Sequence, residues 1–190
     1  VKLYDSFMPR CLEDQISDIL LDPNFSWKCT VNPTSGGADI SKMAASEKEK
    51  AFQDTSYLAF AAPLFDFQKI PFTNYALLMQ GAIYCMCDTA NIDKNSIMRI
   101  RAGMYLPMLD KPEYNDPHTD TDIPHTVILY YVNDCDGDTY FFNSDGTVLD
   151  TVSPKKGRMV AFNGNTVHAS SQPSKGVRVT LNLNFNGIQI

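Results

Sequence analysis

From Ser96 onward the chain breaks into short runs, each apolar or alternating: "IMRIRAGMY", "HTVILYYVN", "DTYFF", "TVLDTV", "RMVAF", "TVHAS" and "VRVTLNLNF". They recur at intervals of roughly 8–12 residues, the spacing of all-β sandwiches and barrels. Turn-forming clusters separate them: "NDCDGD", "NSDG", "SPKKG", "NGN" and "QPSKG". Glycine, asparagine, aspartate and proline reverse a chain cheaply, so these connections suit antiparallel neighbours. No other feature constrains the fold as much. It points to an antiparallel sandwich, barrel or jelly roll and away from an α/β sheet. The turn "SQPSKG" reads as a hairpin that sets the strands of His168 and Arg178 side by side.

The first half reads helical. Met8, Leu12, Ile16, Ile19 and Leu20 share one helical face, and Asp22-Pro23 ends that segment. Residues 30–41 form a polar loop. A second helix starts near Thr73, whose hydroxyl can cap it, and continues through "NYALLMQGAIYCMCDTA". That stretch is apolar nearly all round, so it should be buried against a sheet. The expected architecture is mainly β with N-terminal helices. It is a single domain over residues 1–190, with helical support over 1–95 and a β-core over 96–190. No internal repeat or linker divides it.

Several classes of function are disfavoured. No apolar run approaches the ~18 residues of a membrane span. The net charge of −6 argues against a nucleic-acid partner, which usually demands a basic stripe. The five cysteines form no CxxC pair, and the odd count suggests reduced, structural thiols. The opening "VKLYDSFMPR" does not read as a secretory signal, so a cytoplasmic location is expected.

Two of the three histidines fall in "PHTDTDIPHTVILYY". Residues two apart share a face of a strand, so His118 and Asp120 would point the same way if the strand extends that far. His168 lies on a later strand. If it faces the interior with them, the set is two histidines and one carboxylate, the arrangement that leaves positions open on Fe(II). A structural zinc site would instead be closed by four protein ligands. In "VRVTLNLNF", Val179, Leu181, Leu183 and Phe185 form one face, while Arg178, Thr180, Asn182 and Asn184 form the other. That polar row reads either as the lining of a ligand cavity or as a solvent-facing sheet edge. Inside a cavity, the Arg178 guanidinium would suit a bidentate carboxylate.

Taken together, "HTD" at His118 to Asp120, then His168, then Arg178 with Thr180 two residues beyond, resemble the Fe(II)/2-oxoglutarate-dependent oxygenases. Further features are similar to the prolyl 4-hydroxylase branch: "ILYYVND" followed by "DGDTYFF", "RAGMYLP" before the HxD, and "HASSQP". The resemblance covers about residues 96–188. Val132 and Asp136 depart from that branch's usual leucine and glycine, and Arg178 stands where collagen-type enzymes carry lysine.

The resemblance implies a double-stranded β-helix (jelly roll) backed by a helical layer. It implies iron ligation by His118, Asp120 and His168. It places Arg178 on the distal carboxylate of 2-oxoglutarate, with Thr180 assisting, and Tyr131 and Tyr105 reaching the cosubstrate. Fe(II), 2-oxoglutarate and O₂ are the implied cofactor and cosubstrates, with ascorbate as a further reductant. Halogenating relatives lack the carboxylate that Asp120 supplies, so hydroxylation of a C–H bond is expected, in a peptidyl proline or a free amino acid. Strand parity adds Asn182 and Asn184 to the pocket, with Leu129. Tyr114, in the proline-rich "LPMLDKPEYNDP", is expected as a substrate contact on a lid, and Arg101 as a contact for an anionic group. Asp122 should lie at the surface or behind the ligands, and His125 should be structural. Two other readings compete: a nucleobase oxidative demethylase, and a non-catalytic jelly-roll binding module whose HxD is coincidental. A cupin would need a paired His-x-His and a downstream glutamate, which are missing.

Overall fold

The computed structural model describes residues 1–31, 45–46 and 58–190. The polar loop expected at residues 30–41 lies, from residue 32, outside that range. Three helices, α1 (Arg10–Leu20), α2 (Asn74–Leu78) and α3 (Gln80–Ala90), accompany ten strands. The strands are β1 (Lys2–Tyr4), β2 (Lys28–Val31), β3 (Leu58–Asp66), β4 (Ile97–Tyr105), β5 (His125–Tyr131), β6 (Thr139–Phe142), β7 (Val148–Val152), β8 (Met159–Asn163), β9 (His168–Ser170) and β10 (Arg178–Asn186). Seven form one sheet in the order β1-β8-β5-β10-β4-β3-β2, and three form a second in the order β7-β6-β9. Every pairing is antiparallel. The result is a two-sheet sandwich with flanking helices, in which no closed barrel is formed among the described residues.

Alternation along the central strands builds two cores. Ile128 and Tyr130 of β5, with Val179, Leu181, Leu183 and Phe185 of β10, meet Ile16 and Leu20 of α1 and Ile83 and Met86 of α3. Val127, Leu129 and Tyr131 point the other way, against Phe141 and Val152 of the small sheet, with Val160 and Phe162 of β8. Each fully buried Ile or Leu contributes about 1.5–3 kcal/mol of burial, so the helical layer is what anchors the outer face of the large sheet. Cys87 belongs to the outer core, where burial pushes its thiol up to about 12. All five cysteines are free.

The structure differs from the sequence reading in four places. Three strands of the large sheet come from the part expected to be helical support. Of these, β3 pairs with β4 along nearly its whole length, with a register shift between Pro63 and Phe65. "LAFAAPLFD" hides its strand character because alanine is a weak β-former and proline interrupts the pattern. The second helix is capped by the Thr73 hydroxyl, which accepts from the Ala76 N–H at 3.3 Å. It is not continuous, however. Met79, at φ −90° and ψ 5°, separates α2 from α3, and Asn91 ends α3 in the left-handed region at φ 56°. The strand expected to carry "HTD" starts only at His125. Finally, residues 171–177 are not a hairpin turn: β9 pairs with β6, and β10 lies between β5 and β4 in the other sheet. This segment carries the chain from one sheet to the other. Among the described residues, no helix is long and apolar enough to cross a membrane.

Candidate metal centre

The mouth of the sandwich is fastened by one pair of residues. His118 and His168 form an isolated antiparallel bridge, each amide donating to the other's carbonyl at 2.9 Å. A directly opposed pair presents its side chains on the same side of the ladder. The two imidazole centroids accordingly lie 4.8 Å apart. Each ring also meets the carbonyl two residues before it: His118 Nδ1 and Asp116 O are 3.0 Å apart, as are His168 Nδ1 and Thr166 O. A carbonyl only accepts, so each Nδ1 carries the proton and each Nε2 keeps its lone pair for a metal.

Asp120 completes the group. One donor atom each from His118, Asp120 and His168 can be chosen so that all lie within 4.8 Å of one another. Asn182 and Asn184 of β10 donate through Nδ2 to Asp120 Oδ2, at 3.0 and 2.8 Å. Arg99 Nη2 stands 3.3 Å from Oδ1, and Arg99 Nε donates to Asn184 Oδ1 at 2.8 Å. Burial opposes ionisation of this carboxyl. The facing His168, Arg99 and the two amides outweigh it and hold Asp120 well below the usual carboxylate range. Burial lowers the pKa of His168, partly offset by Asp120, which favours the neutral ring that ligation requires. Two neutral imidazoles and one anionic oxygen with open space before them fit ferrous iron, and three ligands leave room for a cosubstrate.

Arg178 lies in the same cavity and is 2 % exposed. Its Nε donates to Gly137 O and its Nη2 to Thr139 Oγ1, both at 2.8 Å. The guanidinium carbon sits 5.6 Å from the centre of the Tyr105 ring and 5.7 Å from that of Tyr131. No carboxylate among the described residues pairs with it. Sequence reasoning missed Thr139, which also accepts the Tyr131 hydroxyl at 2.7 Å. The signal was available, because Thr139 is the threonine of "DGDTYFF". Gly137 leaves room for this arrangement: a Cβ there would come within 2.7 Å of Ser171 O and 3.0 Å of Arg178 Cδ.

The cavity measures about 120 Å³, far above the ~10–15 Å³ that one water needs. The residues named from the sequence that line it are His118, Asp120, His168, Arg178, Tyr105, Thr180, Asn182, Leu129 and Arg101. Burial lowers the pKa of Arg101 below the usual value, with nearby Arg99 adding to the effect. Three named residues stand outside the lining. Tyr131 lies behind Thr139, and Asn184 is buried while holding Asp120. Tyr114 packs on Tyr140 and Phe142 of the small sheet, with centroids at 5.2 and 5.0 Å. Its loop is tied down, Met108 N donating to Pro173 O and Asn115 N to Ser170 O. Asp122 is exposed. His125 is fully buried, with Nδ1 2.8 Å from Ile123 O and its ring against Gly164.

Comparison with known proteins agrees with this geometry. No curated protein sequence matches the chain. A prolyl hydroxylase from Trichoplax adhaerens, solved with a hypoxia inducible factor oxygen degradation domain peptide fragment, superposes with a TM-score of 0.63. It is 11 % identical, over 97 % of this chain and 82 % of that one. A Pseudomonas putida prolyl-4-hydroxylase gives 0.53 at 14 % identity, over 97 % and 91 % of the two chains. The viral collagen prolyl hydroxylase of Paramecium Bursaria Chlorella virus-1 gives 0.50 at 13 %, over 99 % and 90 %. At these identities the likeness shows a shared fold. Residues 99–186, which contain both histidines, the aspartate and Arg178, match the family model described as the 2OG-Fe(II) oxygenase superfamily. With that match and three ligating side chains converging on one point, the chain belongs to the 2OG-Fe(II) oxygenase superfamily and is an enzyme of that type.

Proposed function

We propose that residues 1–190 form one oxygenase domain of double-stranded β-helix type that hydroxylates a C–H bond in a peptidyl proline or a free amino acid. The observation that carries this reading is the pairing of two features in one cavity. A two-histidine, one-carboxylate group faces a buried guanidinium that has no carboxylate partner among the described residues. A charge so placed is costly unless an anion meets it, and 2-oxoglutarate is a dianion of suitable length.

His118 Nε2, His168 Nε2 and the Asp120 carboxylate would hold the iron. Asn182 and Asn184 orient the carboxylate, and the Asp116 and Thr166 carbonyls fix both imidazole tautomers. Arg178 receives the distal carboxylate of 2-oxoglutarate. Thr139 and Gly137 hold that guanidinium in place, the Tyr105 and Tyr131 rings flank it, and Thr180 lies beside it on β10. Leu129 and Phe162 form apolar wall and exclude water from the reacting centre. When bound, iron with 2-oxoglutarate and O₂ supplies oxidative decarboxylation to succinate and CO₂ coupled to insertion of one oxygen atom into the substrate.

The test is succinate release from 2-oxoglutarate with Fe(II) in air, across proline peptides and free amino acids, with mass spectrometry for a gain of one oxygen. Wild type should release succinate, and His168→Ala should not while retaining the native circular-dichroism spectrum. Equal succinate release by folded His168→Ala would remove His168 from the ligand set and overturn the assignment.

A further inference from the structure

Three guanidiniums line the cavity, Arg99, Arg101 and Arg178, against one carboxylate, Asp120. Two of them have evident positions. Arg178 is fixed by Gly137, Thr139 and the two tyrosines. Arg99 bridges Asp120 and Asn184. Arg101 has no hydrogen-bond acceptor and no carboxylate contact among the described residues, although it is half-buried. A desolvated guanidinium carries five donors in a planar fork, and leaving them unmatched is costly.

The excess of positive charge belongs to this cavity alone, because the chain as a whole carries −6. Ferrous iron and the 2-oxoglutarate dianion cancel one another in charge, so loading both leaves the excess in place. A positively lined cleft with low-dielectric walls concentrates anions. The cosubstrate does not meet this demand. Arg178 pairs across the sheet with Tyr105, and Arg101 with Asn182. Four strand residues separate the two positions, which is about 14 Å along the sheet. Arg101 therefore faces a second anion. Asn182, directly opposite it, donates to Asp120. Opposed residues have Cα atoms only about 5 Å apart, so that anion sits beside the metal ligands and not at the outer rim.

We propose that Arg101 is a specificity-determining residue that binds a carboxylate of the primary substrate, so that the enzyme oxidises a carboxylate-bearing molecule at a carbon close to that carboxylate. The proposal rests on the oxygenase reading and narrows it. A free or N-acylated amino acid, or an acidic side chain, satisfies it, whereas a proline inside a neutral peptide does not. The planar fork of arginine matches a carboxylate bidentately, which discriminates it from the isosteric amide.

The experiment is calorimetric titration into protein loaded with Mn(II) and 2-oxoglutarate. The probes are L-proline, N-acetyl-L-proline and N-acetyl-L-glutamate, each against its carboxamide. At least one acid should bind tenfold to a hundredfold tighter than its amide, the range for loss of a charge-assisted pair. Arg101→Gln should erase that preference and leave the 2-oxoglutarate dissociation constant within about twofold. Arg101→Lys should keep part of the preference, since it retains the charge and loses the fork. Four results overturn the proposal: no acid binds, acids and amides bind alike, Arg101→Gln keeps the preference, or Arg101→Gln loses 2-oxoglutarate instead. Tight binding of a single-stranded oligonucleotide that depends on Arg101 overturns it as well. Failure of wild type to take up 2-oxoglutarate with Mn(II) is a separate result, seen before any acid is added, and overturns the oxygenase reading itself.

Discussion

Replacing Thr139 by valine keeps the shape of a buried β6 side chain and removes one oxygen. That oxygen accepts two hydrogen bonds, from Arg178 Nη2 at 2.8 Å and from the Tyr131 hydroxyl at 2.7 Å. Both donors are almost fully buried. A lost hydrogen bond to a charged group costs about 1.5–3 kcal/mol, and an orphaned buried hydroxyl about 1–3 kcal/mol. The cavity lets water reach part of the guanidinium, which offsets some of the first cost. The expected destabilisation of Thr139→Val is therefore about 2–4 kcal/mol. For a chain of this size, each kcal/mol lowers Tm by roughly 2–4 °C.

The assay is urea unfolding at pH 7.5 on a double-mutant cycle with Tyr131→Phe. Phenylalanine removes the orphaned hydroxyl, so the double variant should be more stable than the two single losses predict, by about 1 kcal/mol. A Thr139→Val protein within about 0.5 kcal/mol of wild type would refute the reasoning, because surface-like substitutions fall in that range. So would a cycle whose effects simply add, since the two residues would then not share a bond that matters.

Gly164→Ala would place a Cβ 2.1 Å from His125 Nε2, and both neighbours are fixed; a loss of about 1–3 kcal/mol is expected from overpacking, read as a lower Tm. Arg178→Gln should weaken 2-oxoglutarate binding at least tenfold in calorimetry and leave Mn(II) binding in place, because the guanidinium contacts no metal ligand. Burial holds His168 below its ordinary pKa of 6.5. The unfolded chain therefore takes up that proton first, and the stability conferred by the neutral ring is complete above about pH 6.5 and is lost as pH falls toward the folded value. Urea midpoints of metal-free wild type should fall between pH 7 and pH 5, and the fall should be shallower in His168→Gln.

The β-core was readable because its turns are chemically explicit and its strands alternate. Arg178, Thr180 and Asn182 face the cavity as parity required, while Leu181 and Leu183 face the helices. What the sequence concealed has physical causes. Strand β3 is alanine-rich and broken by Pro63, so its alternation carries no contrast. His118 and Asp120 converge without a strand, because one bridge to His168 replaces a ladder, and a single long-range bridge leaves no periodic trace. Thr139 looked like an ordinary strand residue, and only the approach of Arg178, far along the chain, gives its oxygen a task. Tyr114 looked poised over the site, yet Tyr140 and Phe142 offered it a larger aromatic surface.

The reciprocal amides of His118 and His168 make the site a latch as well as a catalyst. Any breathing motion that parts the strand ends also parts two of the three ligands, so occupancy and closure are one mechanical coordinate. A cation bound there should slow hydrogen exchange at these two amides before it protects the rest of the sandwich, and chelation should release them first.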